Sequence, residues 1–304
     1  RLTLPSNPIY RATSSHIEKP DTISNGESVL KVSHVFMLHR GSDSENFSFE
    51  NLQSTNYLTE EYIMGRLFGT DGARGVANAE LTPELAMNIG RAAAMVLISD
   101  EVEHPTILIG KDTRLSGDML EGALIAGLCS VGANVHILGV VPTPAVAYLV
   151  GKYNADAGIM ISASHNPFEF NGIKIFSSDG CKLPDALENR IEEIVLDHVV
   201  PYASATDENI GRVTYDTEAA DLYIDHLVSA VDCDFEGMEI ALDCSNGSSS
   251  RTAEKLFTKL GAKVHMLFDE PDGVNINRDC GSTHMSKLQK YVREHKLSCG
   301  LAFD

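Results

Sequence analysis

The chain has 304 residues, 43% of them hydrophobic and 22% charged. That is room for two ordinary domains, in the mixture of a folded globular protein and not of a disordered or fibrous one. Lys plus Arg number 24 against 43 Asp plus Glu, a net charge of −19, so the surface repels polyanions, and neither nucleic acid nor an anionic membrane is expected as a partner. A phosphorylated small molecule stays open, wherever a few Arg, Lys and backbone N–H groups converge in one cleft.

The six cysteines at 129, 181, 233, 244, 280 and 299 show no C-x-x-C pair and no zinc-ligand spacing, which predicts reduced, structural thiols. The most apolar stretch, Val135 to Val150, is interrupted by Pro142 and Pro144, a poor fit to a membrane span. No basic-then-apolar leader is visible. A cytoplasmic location is expected.

Along the chain, residues 1–63 are rich in Ser, Asn and Thr and carry little apolar periodicity beyond Val29 to Leu38. They are expected to be a disordered or non-native extension, with the functional fold starting at Met64. From Leu81, apolar residues recur at helical spacing after an N-capping Thr82 and a first-turn Pro83, predicting a helix to about Ile98. Thr106 to Gly110 reads as a buried strand. A helix capped by Ser116 and closed by Gly132 follows, then a strand over Val135 to Val140, a helix over Pro144 to Tyr153 and a strand over Ala157 to Ala163. Asn171-Gly172 between alternating apolar residues predicts a hairpin turn. Pro184 to about His198 reads as an amphipathic helix, and Ala203 to Thr217 as a linker.

The remainder repeats this outline. Gly132-Ala133-Asn134-Val135-His136 is echoed by Gly261-Ala262-Lys263-Val264-His265, each between a helix and a strand. Polar loops, Lys111 to Arg114 and Asp243 to Asn246, occupy matching places. The expected fold is therefore α/β: two related three-layer α/β domains with mixed sheets, at 64–205 and 206–304. The second is expected to be truncated, since Leu301 to Asp304 reads as a strand end with nothing after it.

Chemistry concentrates in Ile161-Ser162-Ala163-Ser164-His165-Asn166-Pro167, where a strand opens into a loop carrying a hydroxyl, an imidazole and an amide. Ser164 and Asn166 could simply shape a turn. A hydrolytic Ser164–His165 pair is disfavoured, because adjacent side chains of an extended segment point apart. Arg74, on a Gly-rich segment, and Lys174 are the candidate cations. Each could equally be a solvated surface side chain. Asp112 and Arg114 read first as a structural ion pair beneath the loop.

Taken together, Gly65-Arg66-Leu67-Phe68-Gly69-Thr70-Asp71-Gly72-Ala73-Arg74-Gly75, Lys111-Asp112-Thr113-Arg114, Ser162 to Pro167 and Asn171-Gly172-Ile173-Lys174 resemble the motifs of the α-D-phosphohexomutases, in the same order, from Met64 to Asp304. The resemblance implies that Ser164 is phosphorylated and passes its phosphoryl group to a sugar monophosphate, through a bisphosphate intermediate. It implies charge stabilisation by Arg74 and Lys174, with Lys174 also acting as acid or base. His165 and Asn166 would shape the loop or contact phosphate. It further implies Mg²⁺ held by the Ser164 phosphate and by Asp304, the first acid of a D-x-D-x-D-R loop. The implied partner is a small-molecule sugar phosphate, and a homodimer is kept open. The nearest alternative is a mutase of the same family acting on glucose or mannose phosphates; from another class, a non-catalytic sugar-phosphate-binding module stays open.

Overall fold

The computed structural model describes residues 66–69, 72–98 and 102–304 in full, and residues 28–32 and 35–39 as backbone strands. In chain order the elements are β1 (Ser28–Val32), β2 (Val35–His39), β3 (Ala73–Val76), α1 (Pro83–Leu97), β4 (Thr106–Lys111), α2 (Ser116–Ser130), β5 (Asn134–Val140), α3 (Thr143–Tyr153), β6 (Ala157–Ile161), β7 (Phe170–Ser177), α4 (Asp185–Asp197), β8 (Val213–Tyr215), α5 (Ala219–Ser229), β9 (Glu239–Asp243), α6 (Ala253–Lys259), β10 (Lys263–Leu267), α7 (Ser286–His295) and β11 (Cys299–Phe303).

They form two mixed sheets, ordered β3-β7-β6-β4-β5-β8 and β1-β2-β11-β9-β10. Alternation along the first sheet's strands sends Ile107, Ile109, Ile159, Ile161, Ile173 and Ile175 to the face covered by α1, α2 and α4. Leu108 and Met160 go to the face covered by α3 and α5, as a side-chain period of two requires. The second sheet repeats the plan, with Ile240, Leu242 and Leu301 against α6, and Ala241 and Ala302 against α7. Both units are thus three-layer α/β structures, as expected.

The duplication extends to backbone detail. Gly132 and Gly261 both sit at positive φ, 96° and 92°, which glycine adopts without steric cost. In each the following strand is entered through the same bonds: Gly132 to Cys129 O and Ala133 to Leu128 O, Gly261 to Thr258 O and Ala262 to Phe257 O. Each strand then runs parallel to the preceding one, β5 to β4 and β10 to β9, and the third strand pairs parallel on the other side, β6 and β11.

Several expectations change. Asn171-Gly172 is not a hairpin turn. Both residues lie inside β7, paired antiparallel to β3 on one side, and β7 pairs antiparallel to β6 on the other. The sequence signal has another cause: a Cβ on Gly172 would stand 2.7 Å from the Ser162 carbonyl oxygen and 3.0 Å from Arg74 Cγ. Close backbone approach, not a positive φ, selects glycine there. The actual turn between β6 and β7 is the loop 162–169. Ser116 does not cap α2, whose cap position is Leu115 without a side-chain bond; the Ser116 hydroxyl accepts instead from Asn171 Nδ2 at 2.9 Å. The stretch read as a linker contains β8, parallel to β5, so the first sheet continues past residue 205. Within residues 1–63, β1 and β2 pair with each other, and β2 pairs antiparallel to the otherwise open edge of β11. The rest of that stretch lies outside the described residues.

Candidate active site

The loop after β6 and Asp304, which follows β11, face one another, because these strands hold equivalent places in the two sheets. Ser164, on the first, takes a left-handed φ of 55°. For a residue other than glycine that costs energy, and it persists where surrounding bonds fix it. Those bonds are present: the buried Arg114 guanidinium donates to the carbonyls of Ser164 at 2.8 Å, Asn166 at 2.9 Å and Pro167 at 2.5 Å. Its Nε donates to Asp112 at 2.9 Å, with both side chains almost fully buried. Asp112 and Arg114 are therefore a structural ion pair beneath the loop, as read from sequence. From the second unit, Asn277 Nδ2 donates to the same carbonyls of Ser164 and Asn166, at 2.9 and 3.0 Å.

The Ser164 hydroxyl donates to Asp304 Oδ1 at 2.6 Å. His165 Nδ1 lies 3.5 Å from Ser164 Oγ and 3.8 Å from Asp304 Oδ2, and its side chain is 53% exposed. Adjacent side chains meet here because Ser164 is left-handed and not extended. The contact is still too long for a strong hydrogen bond, so His165 is poorly placed to take a proton from Ser164.

Lys174 on β7 is half-buried and lines a cavity of about 290 Å³ together with Ser162, Ser164, Asp304 and Asp112, closed from the second unit by residues such as Ser248 and Phe257. Arg74 on β3 pairs across from Gly172, on the same face of the sheet as Lys174, two residues further along β7. The structure thus gathers Ser164, His165, Lys174 and Asp304 at one place and puts Arg74 on the adjoining strand. Asn166 offers the loop its backbone carbonyl. It also lines a second groove with His165, Asn277 and His284.

Asp304 is held in place by the loop after β9. Ser245 Oγ donates to Phe303 O at 2.8 Å, and Ser282 N–H to the same oxygen at 3.1 Å. The buried Asp243 accepts from the N–H groups of Ser245 and Gly281, both at 2.9 Å. Burial raises the Asp243 carboxyl despite these two bonds. Sequence reading located this loop as the counterpart of Lys111 to Arg114 but missed Asn277, which lies far along the chain in a polar loop with no motif of its own.

Hydroxyl and carboxylate are hard oxygen donors of the type Mg²⁺ takes. Their spacing also calls for a cation, since a phosphate on Ser164 would put like charge against Asp304. Among the described residues, however, no group of three or more His, Cys, Asp or Glu is placed to hold a metal. One carboxylate and one hydroxyl do not make a site by themselves.

Residues 65–199 match the family described as phosphoglucomutase/phosphomannomutase, alpha/beta/alpha domain I. Over 241 residues the chain is 57% identical to a phosphoglucosamine mutase of Acetivibrio thermocellus and 55% identical to one of Ruminiclostridium cellulolyticum, in each case covering 79% of this chain and 54% of the relative. Over these residues the chain is similar to phosphoglucosamine mutases. It spans about half the length of the curated relatives it matches. A crystal structure of a phosphoglucomutase/phosphomannomutase family protein from Burkholderia thailandensis superposes with a TM-score of 0.66 at 26% identity, over 78% of this chain and 52% of that one. The α/β fold with mixed sheets is shared with that structure, and the Ser164 loop lies within the residues that match domain I. Among the described residues, no helix is long and apolar enough to cross a membrane.

Proposed function

We propose that this chain supplies the phosphoryl-carrying part of a phosphoglucosamine mutase, which interconverts glucosamine 6-phosphate and glucosamine 1-phosphate through a phosphoserine and a bisphosphate intermediate. The observation that carries the reading is the placement of Ser164: a left-handed, fully braced loop residue, 2.6 Å from a carboxylate and beside a half-buried lysine in one cavity. Residues 64 to about 205 would form the phosphoserine-loop domain, continued by β8, and the following unit the metal-loop domain.

In the forward step the phosphoryl group on Ser164 Oγ moves to a free hydroxyl of the sugar monophosphate. The P–O bond to Ser164 breaks, a P–O bond to the sugar forms, the sugar hydroxyl proton passes to a base, for which Lys174 is the candidate, and Ser164 Oγ leaves as the hydroxyl by taking up a proton. The bisphosphate then returns its other phosphoryl group to Ser164, regenerating the phosphoserine. Arg74 and Lys174 offset charge on the transferring oxygens, and His165 and Asn166 adjoin the phosphate as loop residues. Mg²⁺, held by Asp304 and the Ser164 phosphate with further oxygen ligands, would neutralise charge on the transferring group. The six cysteines are all free, which suits a reducing, cytoplasmic compartment.

The test is direct. Full-length protein incubated with a hexose 1,6-bisphosphate should gain one phosphate on the peptide containing Ser164, and should convert glucosamine 6-phosphate to the 1-phosphate. Absence of both would overturn the reading. Because the matching family description names phosphoglucomutase and phosphomannomutase, glucose and mannose phosphates are the second reading. Assays with each sugar phosphate separate the two.

A further inference from the structure

The spacing between Ser164 and Asp304 depends on two loops from different units, and one residue is bonded to both. Asn277 gives its backbone N–H to Ser245 O at 2.9 Å. Ser245 in turn holds the carbonyl of Phe303, next to Asp304, through its hydroxyl at 2.8 Å. The Asn277 side-chain amide reaches the other way, donating to the carbonyls of Ser164 and Asn166 at 2.9 and 3.0 Å. Two carbonyl acceptors fix which end of the amide faces them, since only the NH₂ group can satisfy both. Asn277 is itself left-handed, at φ 59°, a conformation asparagine tolerates better than most residues.

We propose that Asn277 is a positioning residue that sets the distance between Ser164 and Asp304 by tying the loop of each to one frame. This rests on the reading of Ser164 as phosphoryl carrier. The seam between the units has further ties, Thr113 Oγ1 to Asn246 O at 2.6 Å and Leu115 N–H to Gly273 O at 2.8 Å. Loss of the Asn277 amide therefore releases the Ser164 loop without separating the units. Arg114 keeps its own bonds to the loop, so the change is one of spacing and not of folding.

Two variants of the full-length enzyme isolate the amide. Asn277→Gly keeps the left-handed backbone and removes both donors; Asn277→Asp keeps the shape and turns an acceptor toward two carbonyls. Both should lower kcat roughly tenfold to hundredfold, the scale of a small misplacement of reacting groups, with KM for the sugar phosphate within about twofold. Amide hydrogen exchange should quicken at residues 164 to 166 while the two sheets keep their protection. A normal kcat in Asn277→Gly overturns the positioning role, as does a loss of kcat that accompanies loss of protection throughout the sheets. Ser164→Ala, run in parallel, tells the failures apart. If it is inactive while Asn277→Gly is normal, only the positioning role falls; if it is active, the carrier reading falls and takes this inference with it.

Discussion

Ser164 and Asp304 stand 140 residues apart in the chain and 2.6 Å apart in space, hydroxyl to carboxylate. They meet because each follows the third strand of a strand–helix–strand–helix–strand unit, β6 in one and β11 in the other, and the two units face each other at the carboxyl ends of those strands. In open α/β sheets that is the end where ligands bind.

The first prediction concerns the carrier. Ser164→Ala in the full-length enzyme should abolish steady-state turnover, since the transferred group has no oxygen on which to reside. Ser162→Ala should retain activity at a reduced level, because Ser162 Oγ accepts from Ser164 N–H at 3.2 Å and such a bond contributes about 1 kcal/mol. Turnover rates of the two variants with a bisphosphate activator present check this. Near-normal rates for Ser164→Ala would reduce the loop to a substrate-positioning role.

Arg114 is the second case. Its guanidinium is buried with Asp112 and satisfies three loop carbonyls. Arg114→Ala leaves an unpaired buried carboxylate, at a cost of about 3–5 kcal/mol. Arg114→Lys keeps the charge but not the fork, and should fall between the variant and the parent. Urea unfolding of the three proteins measures the order, and a neutral Arg114→Ala would contradict it.

Gly172→Ala tests the close approach inside β7. The added methyl would meet the Ser162 carbonyl at 2.7 Å, and a backbone atom cannot rotate away. A loss of roughly 1–3 kcal/mol is expected, as for other overpacked sites, together with lower activity, because Arg74 and Ser162 sit on either side. An unchanged unfolding midpoint would show that β3 and the loop can separate freely.

The acid limb of stability should carry a contribution from Asp216. Burial acts to raise its carboxyl, but hydrogen bonds from the Tyr153 hydroxyl, the Glu218 N–H and His136 outweigh burial and hold it below the usual range. A folded-state value below the unfolded one, about 3.9, means that the stabilisation is complete above the unfolded value and is lost as pH falls through the folded one. The stability gap between the parent and Asp216→Asn should therefore narrow as pH is lowered from 6 toward 3. A gap that stays constant with pH would remove Asp216 from the account.

Local and repetitive features of this protein were written in its sequence. Thr82 and Pro83 start α1 as their chemistry requires, and the apolar runs of β4 and β6 are buried on both faces. The repeated Gly-Ala-x-Val-His marks the same helix-to-strand turn twice, because glycine at positive φ and a buried alanine are demanded by that turn wherever it occurs. The Asp112–Arg114 pair was legible for a similar reason, since its bonds lie within one short loop, whereas the Ser164 loop was read through its resemblance to a known family. What only the tertiary structure decided involves partners distant in the chain. Asn171-Gly172 carries a turn's sequence but lies in a strand, because Gly172 is selected by the backbone of Ser162 pressing against it. Val213–Tyr215 is too short to read as a strand alone and becomes one by pairing with β5. Asn277 has no signal in its neighbours, because its two acceptors are carbonyls. A carbonyl is present at every residue, so the choice of which two it meets rests on how the units pack and leaves no trace in residue type.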